Sequence, residues 1–112
     1  MSRLYDLESV RELAGGDEDF VHVLVQTFLE EIPPDVESMQ QAIQNGNNKM
    51  AYQFAHKMKP NLQLFNIDVI HHIKAIESWS NTAESSSSVS AEISAIISTI
   101  SQVIDQLKED FA

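Results

Sequence analysis

Residues 50–65, MAYQFAHKMKPNLQLF, decide how the rest of the chain is interpreted. Apolar residues recur there at the i, i+3, i+4, i+7 spacing of an amphipathic helix with one buried face: Ala51, Phe54, Ala55, Met58, Leu62 and Phe65. His56 falls outside this stripe. Three residues share its side of the helix by helical spacing: Tyr52, Lys59 and Gln63. The stretch therefore predicts a helix anchored in a core by one face, with a histidine and a lysine exposed on the other.

Length and composition limit the classes of protein to which the chain can belong. The 112 residues suit one domain, 1–112, and the absence of cysteine excludes disulfides, a thiolate nucleophile and cysteine-rich zinc sites. The net charge of −10 opposes binding to nucleic acid or an anionic membrane, so we expect a protein partner. No leader peptide is apparent, and no run approaches the length of a membrane span. We expect a soluble, cytoplasmic protein.

Breakers and capping residues divide the first half of the chain. The three glycines, three prolines and sparse β-branched alternation predict an almost entirely helical protein. A short first helix is capped by Asp6 and ends at Gly15-Gly16. The second helix is capped by Asp17 and continues, kinked at Pro33-Pro34, to Gly46. Its expected buried face comprises Phe20, Val23, Leu24, Thr27, Phe28 and Ile32, widened by Val21, Val25 and Leu29.

The second half of the chain yields three more helices. The third is the quoted stretch, capped by Asn47 or Asn48 and closed by Asn66. Pro60 lacks a backbone donor, so it predicts a bend or an early end of regular helix. Asp68 is expected to cap the fourth helix.

The serine-rich residues 81–89 predict a flexible loop before the last helix. That last helix has the most regular apolar stripe, which comprises Ile93, Ile96, Ile97, Ile100, Val103, Ile104, Leu107 and Phe111. Four long amphipathic helices with short connections predict an all-α fold. The expected arrangement is an up-down antiparallel four-helix bundle, with the short first helix as an accessory lid.

Chemistries other than that of His56 have weak support in the sequence. Metal sites in helix bundles use Glu-x-x-His pairs from two helices, and Asp19-x-x-His22 resembles such a pair but occurs only once. His71-His72 has no further ligand at helical spacing, so we expect no metal site. Neither a nucleophile elbow nor a glycine-rich phosphate loop is present. We therefore do not expect a self-sufficient enzyme.

The run AHKMKPN at 55–61, in the third long helix of an acidic chain of this size, resembles the histidine-containing phosphotransfer (HPt) domain family. The family pattern is a small residue, the phosphorylated histidine, an aliphatic residue two positions later and a lysine or arginine three positions later. Four residues match it: Ala55, His56, Met58 and Lys59. Asn61 stands where serine is common, and Pro60 replaces the commoner glycine. The similarity in organisation covers roughly residues 17–80.

The resemblance implies a phosphorelay protein of a two-component system. Its partners would be a hybrid histidine kinase and response-regulator receiver domains, and His56 would accept a phosphoryl group from one receiver's aspartate and pass it to another. Lys59 would stabilise that group, Lys57 is a candidate for further charge at the rim, and Glu77 would orient the histidine from the fourth helix. The residues expected to bind the partner are Tyr52, Gln53, Pro60 and Gln63.

The same chemistry follows from the side chains alone, because a neutral imidazole can attack an acyl phosphate and a nearby ammonium can pair with phosphoryl oxygens. We expect no cofactor in this chain, since the Mg²⁺ for transfer would lie in the receiver's acidic pocket. A monomer is expected because the histidine face must stay free. The alternative, which Pro60 and Asn61 keep open, is a non-catalytic helical adaptor that binds a receiver or other protein through this face.

Overall fold

The computed structural model describes residues 3–111, and over that range the chain is all-helical, without a β-strand. The all-α prediction is confirmed. The elements are α1 Glu8–Leu13, α2 Glu18–Gln44, α3 Asn48–Leu64, α4 Ile70–Trp79, a 3₁₀ helix Ser86–Val89, and α5 Ser90–Asp110.

Most of the predicted helix ends are formed by the predicted residues. The Asp17 side chain accepts hydrogen bonds from the first free backbone N–H groups of α2, and Asn47 accepts one from Met50 at the start of α3. Asn66 follows α3 with a φ of 53°, a left-handed conformation that asparagine tolerates. These short polar side chains satisfy backbone groups that a helix end leaves unpaired.

The predicted cap of the fourth helix is wrong. Val69, not Asp68, occupies the N-cap position of α4, and no side chain caps this end. The Asp68 side chain is fully exposed. Val69 itself is buried in the core, so burial of an apolar side chain fixes the start of α4 where the sequence suggested a polar cap.

All three prolines lie inside regular helix. α2 continues through Pro33 and Pro34, as predicted, but the early end of helix expected at Pro60 is wrong, because α3 continues to Leu64. Met58 and Leu62, on either side of Pro60, are completely buried. Their packing offsets the roughly 3 kcal/mol that an interior proline costs a helix.

The buried face of the first half of α2 is narrower than predicted. The fully buried side chains there are Val21, Val25, Phe28 and Ile32, all within the predicted face. Phe20 and Val23, expected inside, are 42% and 55% exposed. Because Phe20 and Val23 also follow helical spacing, periodicity alone could not set the width of the buried face. The buried side packs toward α3, where the ring centroids of Phe28 and Phe65 lie 4.5 Å apart.

The helices pack around one hydrophobic core, with a radius of gyration of 14.6 Å over the Cα atoms. α3 lies between α2 and α4, α4 also packs on α5, and α5 packs back on α2. α1 packs on α2. Each long helix contributes one apolar face to this core, so their opposite faces remain in contact with solvent.

The serine-rich connector, residues 81–89, is more ordered than the flexible loop predicted from the sequence. Residues Ser86–Val89 form the 3₁₀ helix, and Val89 is buried. The indole N–H of Trp79 donates to the carbonyl oxygens of Glu84 and Ser85, at 3.2 and 3.1 Å. A buried tryptophan thereby holds the connector against the end of α4.

The last helical stretch is more apolar than expected. Ser86–Asp110 spans 25 residues and reaches a mean hydropathy of 1.2 over 18 of them, so by length and composition it could cross a membrane, contrary to our expectation. The isoleucine stripe dominates this mean because serine is only weakly polar on such scales. The stripe packs into the core through Ile96, Ile100, Val103 and Leu107, although only 22% of the window is buried. The core helix of a soluble protein meets the same criterion.

Substitutions of two valines on α2 test which of its faces is buried. Val25→Ala should lower the free energy of unfolding by about 2–3 kcal/mol, because it removes two fully buried methyl groups and leaves a cavity. Val23→Ala, the matched control two positions away, should change it by less than about 0.5 kcal/mol. Urea unfolding monitored by circular dichroism measures both. Equal losses, or a larger loss for Val23→Ala, would contradict this packing.

Candidate functional site

His56 lies on the solvent side of α3, with its side chain 60% exposed. The ring of Tyr52, one turn earlier, stacks on it with centroids 5.5 Å apart and planes 8° from parallel. On the other side, the His56 Nδ1 atom lies 3.0 Å from the Glu77 Oε2 atom of α4. The imidazole is therefore accessible, and its orientation is fixed by contacts to both helices.

Glu77 is the residue on which the site converges. Its side chain is only 12% exposed, because Ile73 and Ile76 bury the adjacent face of α4 and bring the carboxylate against α3. The Lys59 ammonium donates to both carboxylate oxygens, at 2.8 and 3.1 Å. His56 and Lys59, one turn apart on α3, thus share a single acceptor on α4.

The ionisation of Glu77 determines which imidazole nitrogen is free. Burial raises the pKa of the Glu77 carboxyl, but hydrogen bonds from Lys59 and His56, with their charges, outweigh burial and leave that pKa below its ordinary value. Glu77 is therefore a carboxylate near neutral pH and can only accept a hydrogen bond. The Nδ1 atom of His56 must then carry the proton, which leaves the lone pair of a neutral ring on Nε2.

The two lysines beside His56 point in different directions. Lys59 enters the site, whereas the Lys57 ammonium lies 3.0 Å from Asp35 of α2, whose side chain is 9% exposed. Successive residues on a helix are about 100° apart, so Lys57 and His56 cannot share a face. Lys57 therefore does not add positive charge at the edge of the histidine site. Its ion pair with Asp35 joins α3 to α2 instead.

A shallow depression of about 410 Å³ between α3 and α4 contains the site, and it is lined by Tyr52, His56, Lys59, Lys74, Glu77, Ser78 and Asn81. Four of these were candidates from the sequence. Lys74, Ser78 and Asn81 were missed. Lys74 lies one turn before Glu77 and shares its helix face, whereas Ser78 directly follows Glu77 and Asn81 lies beyond the end of α4, so the places of these two in the lining depend on tertiary packing.

The predicted partner-binding residues are distributed unevenly. Tyr52 and Gln53 line a second, adjoining depression of about 640 Å³, together with Asn48, Lys49, Ser80 and Asn81. Pro60 and Gln63 are exposed on α3 but line neither depression. The concave surface around the histidine therefore extends toward the beginning of α3 and the end of α4.

Residues 3–111 contain no group of three histidine, cysteine or acidic side chains arranged to hold a metal ion. Comparisons of the chain with protein-family models, with curated proteins and with solved structures found no match.

The pH dependence of stability tests the role of Glu77. Because its pKa is lowered by folding, it stabilises the protein above its unfolded pKa of about 4.3, and this contribution is lost as pH falls through the lower folded value. Wild type should thus exceed Glu77→Gln in unfolding free energy near pH 6, with the difference narrowing below about pH 4. Glu30→Gln on the exposed side of α2 is the control, because it also removes one negative charge and so measures the effect of net charge alone on stability. A difference that widens toward pH 3 would contradict the assignment.

Proposed function

We propose that this chain is a histidine phosphotransfer protein of a two-component phosphorelay. His56 would accept a phosphoryl group from the aspartate of one response-regulator receiver domain and pass it to another. The observation that carries this proposal is the hydrogen bond between His56 Nδ1 and Glu77, because it leaves Nε2 with a free lone pair at an exposed surface. The resemblance of residues 55–61 to the HPt family supports it independently.

The transfer step uses this arrangement directly. The Nε2 lone pair attacks the phosphorus of the partner's aspartyl phosphate, a nitrogen–phosphorus bond forms, and the aspartate carboxylate leaves with the electrons of the broken oxygen–phosphorus bond. The ring acquires a positive charge because Nδ1 keeps its proton. The Glu77 carboxylate, already 3.0 Å from Nδ1, stabilises that charge. Attack by the second receiver's aspartate reverses the step.

The distribution of charge also suits such a partner. The chain is strongly acidic, yet three of its seven basic residues line the two adjoining depressions: Lys49, Lys59 and Lys74. Glu77 is the single acidic residue in either lining. A receiver domain would present an acidic pocket with Mg²⁺ and the phosphorylated aspartate, so opposite charges would meet around His56.

We further propose an up-down antiparallel four-helix bundle for α2 to α5, with α1 as an accessory. Successive helices pack on one another through short connections, and α5 packs back on α2. The protein would be a soluble, cytoplasmic monomer that acts as a phosphoryl carrier and not as an enzyme by itself. A hybrid histidine kinase would supply the phosphoryl group through its receiver domain, and the Mg²⁺ would belong to the receiver.

Incubation with a ³²P-phosphorylated receiver domain and Mg²⁺ tests this proposal. Wild type should become labelled, with the acid-labile, base-stable linkage of phosphohistidine, and His56→Gln should remain unlabelled. His71→Gln, an exposed histidine of α4 outside the depression, is the matched control and should be labelled like wild type.

Two other outcomes would contradict the proposal. Equal labelling of wild type and His56→Gln would exclude His56 as the acceptor. Tight receiver binding by both proteins without transfer of label would instead favour the non-catalytic adaptor.

A further inference from the structure

Lys74 is a second cation beside His56. It lies on α4 one turn before Glu77, on the same face of that helix, and it lines the depression that contains the imidazole. Lys74 is exposed, and its ammonium makes no ion pair or side-chain hydrogen bond with any residue in 3–111. It is thus a free positive charge on the rim of the site.

The other lysine of the depression is already engaged. Lys59 donates to both oxygens of Glu77, so its charge offsets a carboxylate that is only 12% exposed. Turning Lys59 toward a phosphoryl group would leave that carboxylate with less compensation, which is costly in a poorly solvated position. Lys59 is therefore better suited to hold Glu77 than to bind a phosphoryl group.

Phosphorylation changes the charge balance of this depression. A phosphoryl group on Nε2 brings close to two negative charges at neutral pH, next to the negative charge of Glu77. Lys59 and Glu77 neutralise each other, and the positive charge of the ring offsets one phosphoryl charge. About one negative charge therefore remains for a further cation to balance. Among the residues that line the depression, Lys74 is the remaining one with a permanent positive charge.

We propose that Lys74 binds the phosphoryl group carried by His56, while Lys59 holds Glu77 and through it the imidazole. This inference rests on the proposed function and assigns the phosphoryl-binding charge to α4. Lysine suits the role because its compact charge is on a flexible four-carbon stem that can follow the phosphoryl group as it transfers.

The test uses phosphoramidate, a small phosphoryl donor that requires no partner protein. Nε2 attacks its phosphorus, the nitrogen–phosphorus bond of the donor breaks, ammonia leaves, and a new nitrogen–phosphorus bond forms on His56. The rate of labelling and the half-life of the phosphorylated protein are followed by intact-mass spectrometry at low and high salt. The proteins are wild type, Lys74→Gln, Lys74→Arg, His56→Gln and one control, Lys108→Gln on α5.

Lys74→Gln should slow labelling by about 3- to 10-fold at low salt, the effect of one partly exposed charge-assisted hydrogen bond. Added salt should reduce that difference, since it screens an exposed charge. Lys74→Arg should restore most of the rate, and Lys108→Gln should match wild type.

The results separate this inference from the proposed function. If wild type is labelled on His56 but Lys74→Gln reacts at the wild-type rate, or if Lys108→Gln slows the reaction as much, the role of Lys74 is overturned and the proposed function stands. If wild type gains no label that depends on His56, both are overturned.

Discussion

The Glu77 carboxylate accepts hydrogen bonds from His56 and Lys59, and the rest of the site depends on this arrangement. The two donors lie one turn apart on α3, and the acceptor comes from α4, so the interaction fixes both the helix contact and the orientation of the imidazole. Because the carboxylate has little exposure to solvent, losing a donor would leave a poorly compensated charge. The histidine is consequently held in one orientation, which is the form of preorganisation that the proposed transfer at a defined nitrogen would require.

This arrangement requires α3 to remain regular through Pro60. Met58 and Leu62 are buried on either side of the proline and hold the helix to the core. Ion pairs then join α3 to both neighbours, since Lys57 pairs with Asp35 of α2 and Lys59 pairs with Glu77 of α4. Two positions along a helix are separated by about 200° of rotation, so the two lysines reach opposite sides. Pro60 therefore lies in a helix that is held by the core, by α2 and by α4.

Local patterns predicted the helices and part of the site. The stripe of α3, the Asp17 cap and the left-handed Asn66 depend on neighbouring residues and were predicted from sequence, as was the common face of Tyr52, His56 and Lys59. Features that depend on which helix packs against which neighbour were not predicted from sequence. The width of the buried face of α2 depends on how that helix packs, and Lys57 pairs with Asp35 of α2. The start of α4 was set by burial of Val69. Lys74 shares the helix face of Glu77, but its position beside His56 depends on how α4 packs on α3.

The most direct measurement is the position of the phosphoryl group on the imidazole. Two-dimensional ¹H–¹⁵N NMR of the ¹⁵N-labelled protein, before and after phosphorylation, identifies the protonated nitrogen and the nitrogen bonded to phosphorus. The account predicts that His56 Nδ1 carries the proton in the free protein and that phosphorus is bonded to Nε2. A proton on Nε2 in the free protein, or phosphorus on Nδ1, would contradict the role assigned to Glu77.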